Sequence, residues 1–454
     1  MRARSPWPPR LAEIGASLSE RLVAAIATDI LEGRLEAGDR LPAHRDLAWR
    51  LEIGLGTVTK AYAVLERRGL THSIRGRGTF VARVEARGAP LIDLSINAPP
   101  VASGGRMLTR ALAAVARTLD PALLTQYPPA AGFPEHRRLM AQWLETRGLN
   151  VEAGRLLLTN GGQQALSIAF AIGCRPRGLI LTEAQTYRGA IALARQAGLR
   201  LRGLAMDAEG LMPEALDAAL AAAAEPALLY VTPTLHNPTT ATMGPSRRTA
   251  IVEICRRHGA GIVEDDVYAG PAEVGRPTLA QLAPERVIYV NSLSKTVCPG
   301  LRIGTLVVPE SLVEAAEASL AVAGLSASPL SCAVLETWLS DGTLVSLCDA
   351  IRDEAERRRA IAASLLGDAM VGLRRAGFHV WLPMTRAAAE RVATEARAAG
   401  IAVTPPESVM VDPDAEASGI RLCLGNPTRT DLTRGLTLLA PIVSPAAAAS
   451  GTLR

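Results

Sequence analysis

Ser292-Leu-Ser-Lys-Thr-Val-Cys-Pro-Gly-Leu-Arg-Ile-Gly304 follows the apolar run Val287–Val290 and holds one of only two lysines in the chain, Lys295; the other is Lys60. Lysine and arginine together number 49, so arginine serves wherever a positive charge is enough. A lysine kept under that bias points to a task a guanidinium cannot perform, such as an amine that deprotonates and forms a Schiff base. Position decides between that task and chance.

Outward from Lys295, further short apolar runs (Gly178–Thr182, Ala227–Val231, Gly261–Val263) are separated by helix-length stretches. That alternation predicts an α/β fold with a mostly parallel sheet covered on both faces. Each run ends in a polar cluster: Glu183–Tyr187, His236-Asn-Pro238, Glu264-Asp-Asp-Val-Tyr268 and Asn291–Lys295. Ligands of open α/β sheets bind at the carboxyl ends of the strands, so these clusters are expected to converge. A lysine, an acid, a tyrosine and an asparagine in one place suit pyridoxal 5'-phosphate (PLP). Its aldehyde needs an amine, its pyridine nitrogen a carboxylate, its 3'-oxygen donors, and its phosphate a helix start plus a cation.

From about Ile92 to Leu439 the chain resembles fold-type I PLP proteins of the aspartate-aminotransferase kind. The resemblance implies that Lys295 is the Schiff-base lysine and that Ser292 and Arg302 bind the phosphate. The family spacing Asp-x-x-Tyr selects Asp265, rather than its neighbour Asp266, together with Tyr268. Asn237 and Tyr268 would face the ring 3'-oxygen. Thr159-Asn-Gly-Gly-Gln-Gln-Ala165 is similar to the glycine turn that opens a helix beneath the phosphate, with Gly162 and Gln163 donating N–H groups. Tyr187 would stack on the ring, and Tyr127 would reach the phosphate from a partner subunit, which implies a homodimer. Gly419-Ile-Arg-Leu-Cys-Leu-Gly425 resembles the segment whose arginine clamps a substrate carboxylate, which points to Arg421. Where many aminotransferases continue Asn-Pro-Thr-Gly, this chain reads Asn237-Pro-Thr-Thr240.

The first eighty residues read differently. Ser17 with Glu20 makes a capping box ahead of Leu18, Leu22, Val23, Ile26 and Ile30 at helical spacing, so a helix is expected to about Leu31. A second is expected over Ala43–Leu51, and a third carries Val58, Ala61, Tyr62 and Leu65 on one face and ends at Gly69. Ser73–Val81 reads as a glycine-turned hairpin. Three helices and a basic hairpin predict a winged helix-turn-helix that would offer Thr57, Thr59 and Lys60 to the major groove, and Arg45, Arg75 and Arg77 to phosphates. Between Lys60 and Arg83 six basic residues stand against one acid, the local excess that a polyanion partner requires. The runs Gly33–Pro42, Arg45-Asp-Leu-Ala48, Thr57–Tyr62 and Gly76–Val81 resemble a GntR-family DNA-binding domain. The departure is at Gly54 and Leu55, where that family usually carries Ser-Arg.

A length of 454 residues with 48% hydrophobic and 20% charged residues is a globular composition with room for two or three domains. Apolar stretches are interrupted by acids, and Met1–Arg10 has no apolar core, so neither a membrane span nor a signal peptide is expected. The six cysteines form no CxxC pair, so reduced thiols, no metal site and a cytoplasmic location are expected.

The expected organisation is therefore a winged helix over 11–83, a short linker over 84–91 and an aminotransferase-like PLP domain over 92–440. That pairing resembles the MocR subfamily of regulators. It implies a homodimer on a double-stranded DNA operator that senses a small amine, an amino acid or PLP itself through an aldimine at Lys295. The alternative is a working PLP-dependent aminotransferase with a vestigial N-terminal domain.

Overall fold

The computed structural model describes residues 7–8, 10–12, 17–31, 34–36, 38–67, 69–74, 78–82, 91–100, 104–268, 270, 276–324, 326–371 and 377–448. The chain divides into two compact units, Met1–Pro90 and Leu91–Arg454.

In the first unit, α1 (Leu18–Leu31) begins at the expected capping box. Glu20 N donates to Ser17 Oγ at 3.2 Å and Ser17 N to a Glu20 carboxylate oxygen at 3.3 Å, so two otherwise unpaired donors are satisfied reciprocally. Two shorter helices follow, α2 (His44–Arg50) and α3 (Leu55–Arg67). Their apolar faces meet in a core of Leu22, Val23, Ile26, Leu47, Val58, Ala61, Tyr62 and Leu65. The Tyr62 hydroxyl, buried with them, donates to the Pro42 carbonyl at 2.8 Å, as a buried phenol requires. The hairpin is β1 (Thr71–Ile74) antiparallel to β2 (Gly78–Val81), in register Thr71↔Val81. It begins two residues before the Ser73 expected from sequence, because Thr71 and His72 extend the ladder.

The second unit is built on a seven-stranded sheet. In chain order its strands are β3 (Leu156–Thr159), β4 (Leu179–Glu183), β5 (Arg200–Leu204), β6 (Ala227–Val231), β7 (Gly261–Asp265), β8 (Val287–Ser292) and β9 (Gly304–Val307). Their spatial order is β3-β9-β8-β7-β6-β4-β5. The ladders are parallel except at β9, which runs antiparallel to both β8 and β3. Period-two alternation sends Leu229, Val231, Ile262, Val287 and Tyr289 into one apolar layer, and Leu228, Tyr230, Val263, Ile288 and Val290 into the other. With both faces covered, these strands read as unbroken apolar runs.

Because β9 is reversed, its first residue lies at the same end of the sheet as the last residues of the parallel strands. Gly304 pairs with Thr159 and with Ser292. A Cβ at Gly304 would fall 2.5 Å from the Gly161 carbonyl carbon and 2.7 Å from Thr159 Oγ1, so only glycine lets the two backbones approach this closely.

A smaller layer closes the unit. It contains the antiparallel pair β10 (His379–Thr385) and β11 (Ala417–Cys423), matched Trp381↔Arg421 and His379↔Cys423. A short strand near the start of the unit belongs here, since Ile92 and Asp93 pair with Ile401 and Ala402. Val380, Leu382, Met384, Ile420 and Leu422 enter its core. The alternate residues His379, Arg421 and Cys423 consequently point the other way.

Gly304→Ala should destabilise the second unit by about 1–3 kcal/mol, the usual cost of forcing an extra methyl into a packed contact. Urea unfolding would measure it, and an unchanged midpoint would show that the two backbones do not touch.

Candidate functional site

In the second unit, the carboxyl ends of β4, β6, β7 and β8 and the start of β9 surround one cleft. It is lined by Gly162, Gln163, Tyr187, Thr232, Asn237, Asp265, Val267, Tyr268, Ser292, Ser294, Lys295, Pro299 and Arg302, a concave setting with several convergent polar groups, as small-molecule sites have. Nine residues singled out from sequence for one ligand are therefore neighbours: Gly162, Gln163, Tyr187, Asn237, Asp265, Tyr268, Ser292, Lys295 and Arg302.

One wall is a helix start. Gly161, at φ 81°, caps the helix Gly162–Gly173. Arg302, itself left-handed at φ 54°, donates to the Asn160 carbonyl at 2.9 Å. A Cβ at Gly161 would lie 2.7 Å from the Arg302 guanidinium, and one at Gly162 would lie 3.4 Å from Ser292 Cβ. Free N–H groups, a hydroxyl and a guanidinium thus face one small volume, the arrangement that holds a phosphate.

Opposite lie the acid and the amine. Asp265 ends β7, fully buried, with Oδ2 accepting from the Tyr230 hydroxyl at 2.9 Å. Its Oδ1 is buried without a partner, a costly state that a ligand N–H would relieve. Burial pushes Asp265 up to about 6, against the hydrogen bond from Tyr230 and the nearby Lys295 charge. Asp266 is turned elsewhere: it accepts from the Tyr289 hydroxyl at 3.0 Å and does not line the cleft. Lys295 is pushed down to about 8, chiefly by burial, with the Arg421 charge adding to the effect. Its ammonium donates to the Asn97 carbonyl. The Tyr187 hydroxyl donates to Gln163 Oε1 at 2.9 Å, and Gly189 leaves room for that ring, since a Cβ there would lie 2.4 Å from it.

Two residues singled out from sequence lie outside this lining. Arg421 is buried and spends its guanidinium on Asn237 Oδ1 at 2.6 Å, the Ser95 carbonyl at 3.1 Å and Thr404 Oγ1 at 3.2 Å. It joins the cleft through Asn237. Tyr127 is 90% exposed and takes no part in the cleft of its own chain.

Sequence reading missed Asn97, whose amide donates to the Tyr268 hydroxyl while its carbonyl accepts from Lys295. It follows the short strand at Ile92–Asp93, and a polar residue just past an apolar run was the available signal. Thr232 and Ser294 were also missed. The His379 ring packs, tilted by 42°, 5.3 Å from that of Tyr268, and His379 is held neutral, at about 3, chiefly by burial.

In the first unit, Arg45 on α2 and Thr59 and Lys60 on α3 are exposed, and Thr57 is half-buried. Arg75 and Arg77 lie outside the described residues.

Among the described residues no group of His, Cys, Asp and Glu could hold a metal ion, and no helix is long and apolar enough to cross a membrane.

Residues 89–439 match the family described as aminotransferase class I and II, and residues 18–81 match the bacterial regulatory proteins of the gntR family. The uncharacterized HTH-type transcriptional regulator YdeF of Bacillus subtilis (strain 168) is 26% identical over 446 residues, covering 95% of this chain and 96% of that protein. The HTH-type pyridoxine biosynthesis transcriptional regulator PdxR of Corynebacterium glutamicum is 27% identical, covering 78% and 79%. The probable rhizopine catabolism regulatory protein MocR of Rhizobium meliloti is 28% identical, covering 76% of each chain. In fold, the second unit is like an archaeal alanine:glyoxylate aminotransferase, with a TM-score of 0.71 and 23% identity over 86% of this chain and 95% of that one. The chain belongs to the aminotransferase class I and II family and, with a gntR-type winged helix ahead of that domain, to the MocR subfamily of gntR-family regulators.

Proposed function

We propose that this regulator binds an operator as a homodimer through its winged helix, and that PLP in the cleft makes the second unit a sensor of PLP or of an amino compound. The observation that carries the cofactor reading is the pairing of an unpartnered buried acceptor, Asp265 Oδ1, with a buried amine, Lys295, in one cleft. When bound, PLP supplies an aldehyde that condenses with amines and a ring that withdraws electrons.

The residues divide the work by chemistry. Asp265 would accept the ring N–H. The N–H groups of Gly162 and Gln163, with Ser292 and Arg302, would hold the phosphate, joined by Tyr127 of the partner subunit. Asn237 and Tyr268 would donate to the ring oxygen, and Tyr187 would cover the ring face. Lys295, at about 8, keeps an appreciable unprotonated fraction near neutrality, which covalent capture of an aldehyde requires. Arg421 would take the carboxylate of an amino acid effector. PdxR is named for regulation of pyridoxine biosynthesis and MocR for rhizopine catabolism, and both names favour a small-molecule signal. A ligand can shift DNA binding only by its different affinity for the DNA-competent and incompetent states.

A second reading, transamination of an amino acid, is favoured by the completeness of the cleft and by Arg421 beside Asn237. Steady turnover at roughly 1–1000 per second would establish it, since that is the ordinary range of enzymes.

Two outcomes follow from the sensor reading. Competitive acetylation of the PLP-free chain, read by mass spectrometry, should label Lys295 increasingly as pH rises through about 8; raising the pH removes the proton that blocks attack. A midpoint near the ordinary lysine value of about 10.4 would contradict the buried, depressed amine. Fluorescence anisotropy on DNA from upstream of the protein's own gene should show competitor-resistant binding that changes with PLP. In Lys295→Ala, DNA binding should persist without that response. Weak, salt-sensitive binding at every PLP level would remove the regulator reading for that DNA.

A further inference from the structure

The tip of α3 departs from its family at Gly54 and Leu55, and the structure gives that departure a physical content. Leu55 opens the helix and is 45% exposed. Gly56 follows it, fully outside the core. A Cβ added at Gly56 would meet nothing within 4 Å, and one at Gly54 only Thr57 Oγ1 at an ordinary 3.7 Å. Neither glycine has positive φ. Glycine inside a helix costs stability relative to alanine, and here neither backbone conformation nor packing within the unit calls for it at position 56. The remaining reason for a missing side chain is the close approach of something outside the chain.

The neighbouring side chains say what that is. From Gly54 to Thr59 there is no guanidinium, ammonium, carboxylate or amide, so the helix tip has none of the groups that read base edges by bidentate hydrogen bonds. Thr59 commits its hydroxyl proton to the Leu55 carbonyl at 3.0 Å. What remains outward at the tip is the Leu55 side chain beside the half-buried Thr57, and exposed cations lie just beyond it at Lys60 on α3 and at Arg45 and Arg50 on α2. An apolar tip in a basic surround is complementary to one apolar feature of duplex DNA at the major-groove edge, the C5-methyl of thymine.

Resting on the DNA-binding reading above, we propose that Gly54-Leu55-Gly56 reads a thymine methyl in each operator half-site, with Leu55 in contact and Gly56 admitting the helix tip close to the base edge. The full-length, PLP-loaded chain would first be used to select binding sequences from a random duplex library. Each thymine of the selected site would then be replaced by deoxyuridine, which removes the methyl and leaves every hydrogen-bonding edge in place. At one position per half-site the expected loss is roughly three- to tenfold, the scale of burying one methyl group. Leu55→Ala should bind the thymine and deoxyuridine sites equally at that position. Gly56→Ala should weaken binding to the selected site while raising the thermal midpoint of the first unit, a split that a purely structural glycine would not show. Deoxyuridine neutral at every position, or a loss that persists undiminished in Leu55→Ala, would overturn the proposal. If selection yields no sequence bound above competitor, the DNA-binding reading itself fails, an outcome distinct from either of these.

Discussion

Two backbones without side chains meet at the centre of the second unit, and the cleft depends on their contact. Gly304 sits against the Thr159–Gly161 loop at distances that exclude a Cβ. The loop is thereby drawn onto the start of the reversed strand, and Arg302 is carried beside the helix that Gly161 caps. Without this approach the guanidinium, the Ser292 hydroxyl and the helix N–H groups would not share a volume. The sheet's order serves the same end, because a reversed strand among parallel ones brings its beginning to where the others finish.

The acid–amine pair is governed by the same burial that stabilises the fold. Asp265 and Lys295 are driven in opposite directions by desolvation, the acid up to about 6 and the amine down to about 8. Tyr230 answers one oxygen of Asp265 from within the sheet and leaves the other to the cleft. The adjacent acid, equally buried, has one oxygen answered by Tyr289 and the other likewise without a partner, but it does not line the cleft. Of the two neighbouring carboxylates only Asp265, the last residue of β7, lines the cleft; Asp266, just past the strand end, is turned to Tyr289.

Much of this was legible in the chain. Four strand runs could be read from apolar periodicity, and β4, β6, β7 and β8 start within one residue of them, because both faces of the sheet are buried there and leave no polar interruption; β3, β5 and β9 were not among the expected runs. The convergence of Asn237, Asp265, Tyr268 and Lys295 followed from the rule that open α/β sheets bind at strand ends. Asn97 was barely legible: a polar residue past an apolar run was its local signal, but its role comes from a pairing across the chain, where the strand at Ile92 lies against Ile401. The occupation of Arg421 by Asn237, Ser95 and Thr404 was equally hidden. A motif names a side chain but not the acceptors that surround it. In the first unit the helices and the capping box were plain, since their signals are local.

The strand that carries Arg421 has a consequence for how such a chain can vary. Along β11, Ile420 and Leu422 enter an apolar layer while Arg421 and Cys423 face away from it. Deleting or inserting one residue anywhere in the strand would exchange the two sets, placing a guanidinium in oil and two aliphatic chains beside Tyr268. Such a lineage would be lost for failing to fold before it could be tested for what it binds. The packing of its aliphatic neighbours therefore fixes the frame in which Arg421 meets Asn237.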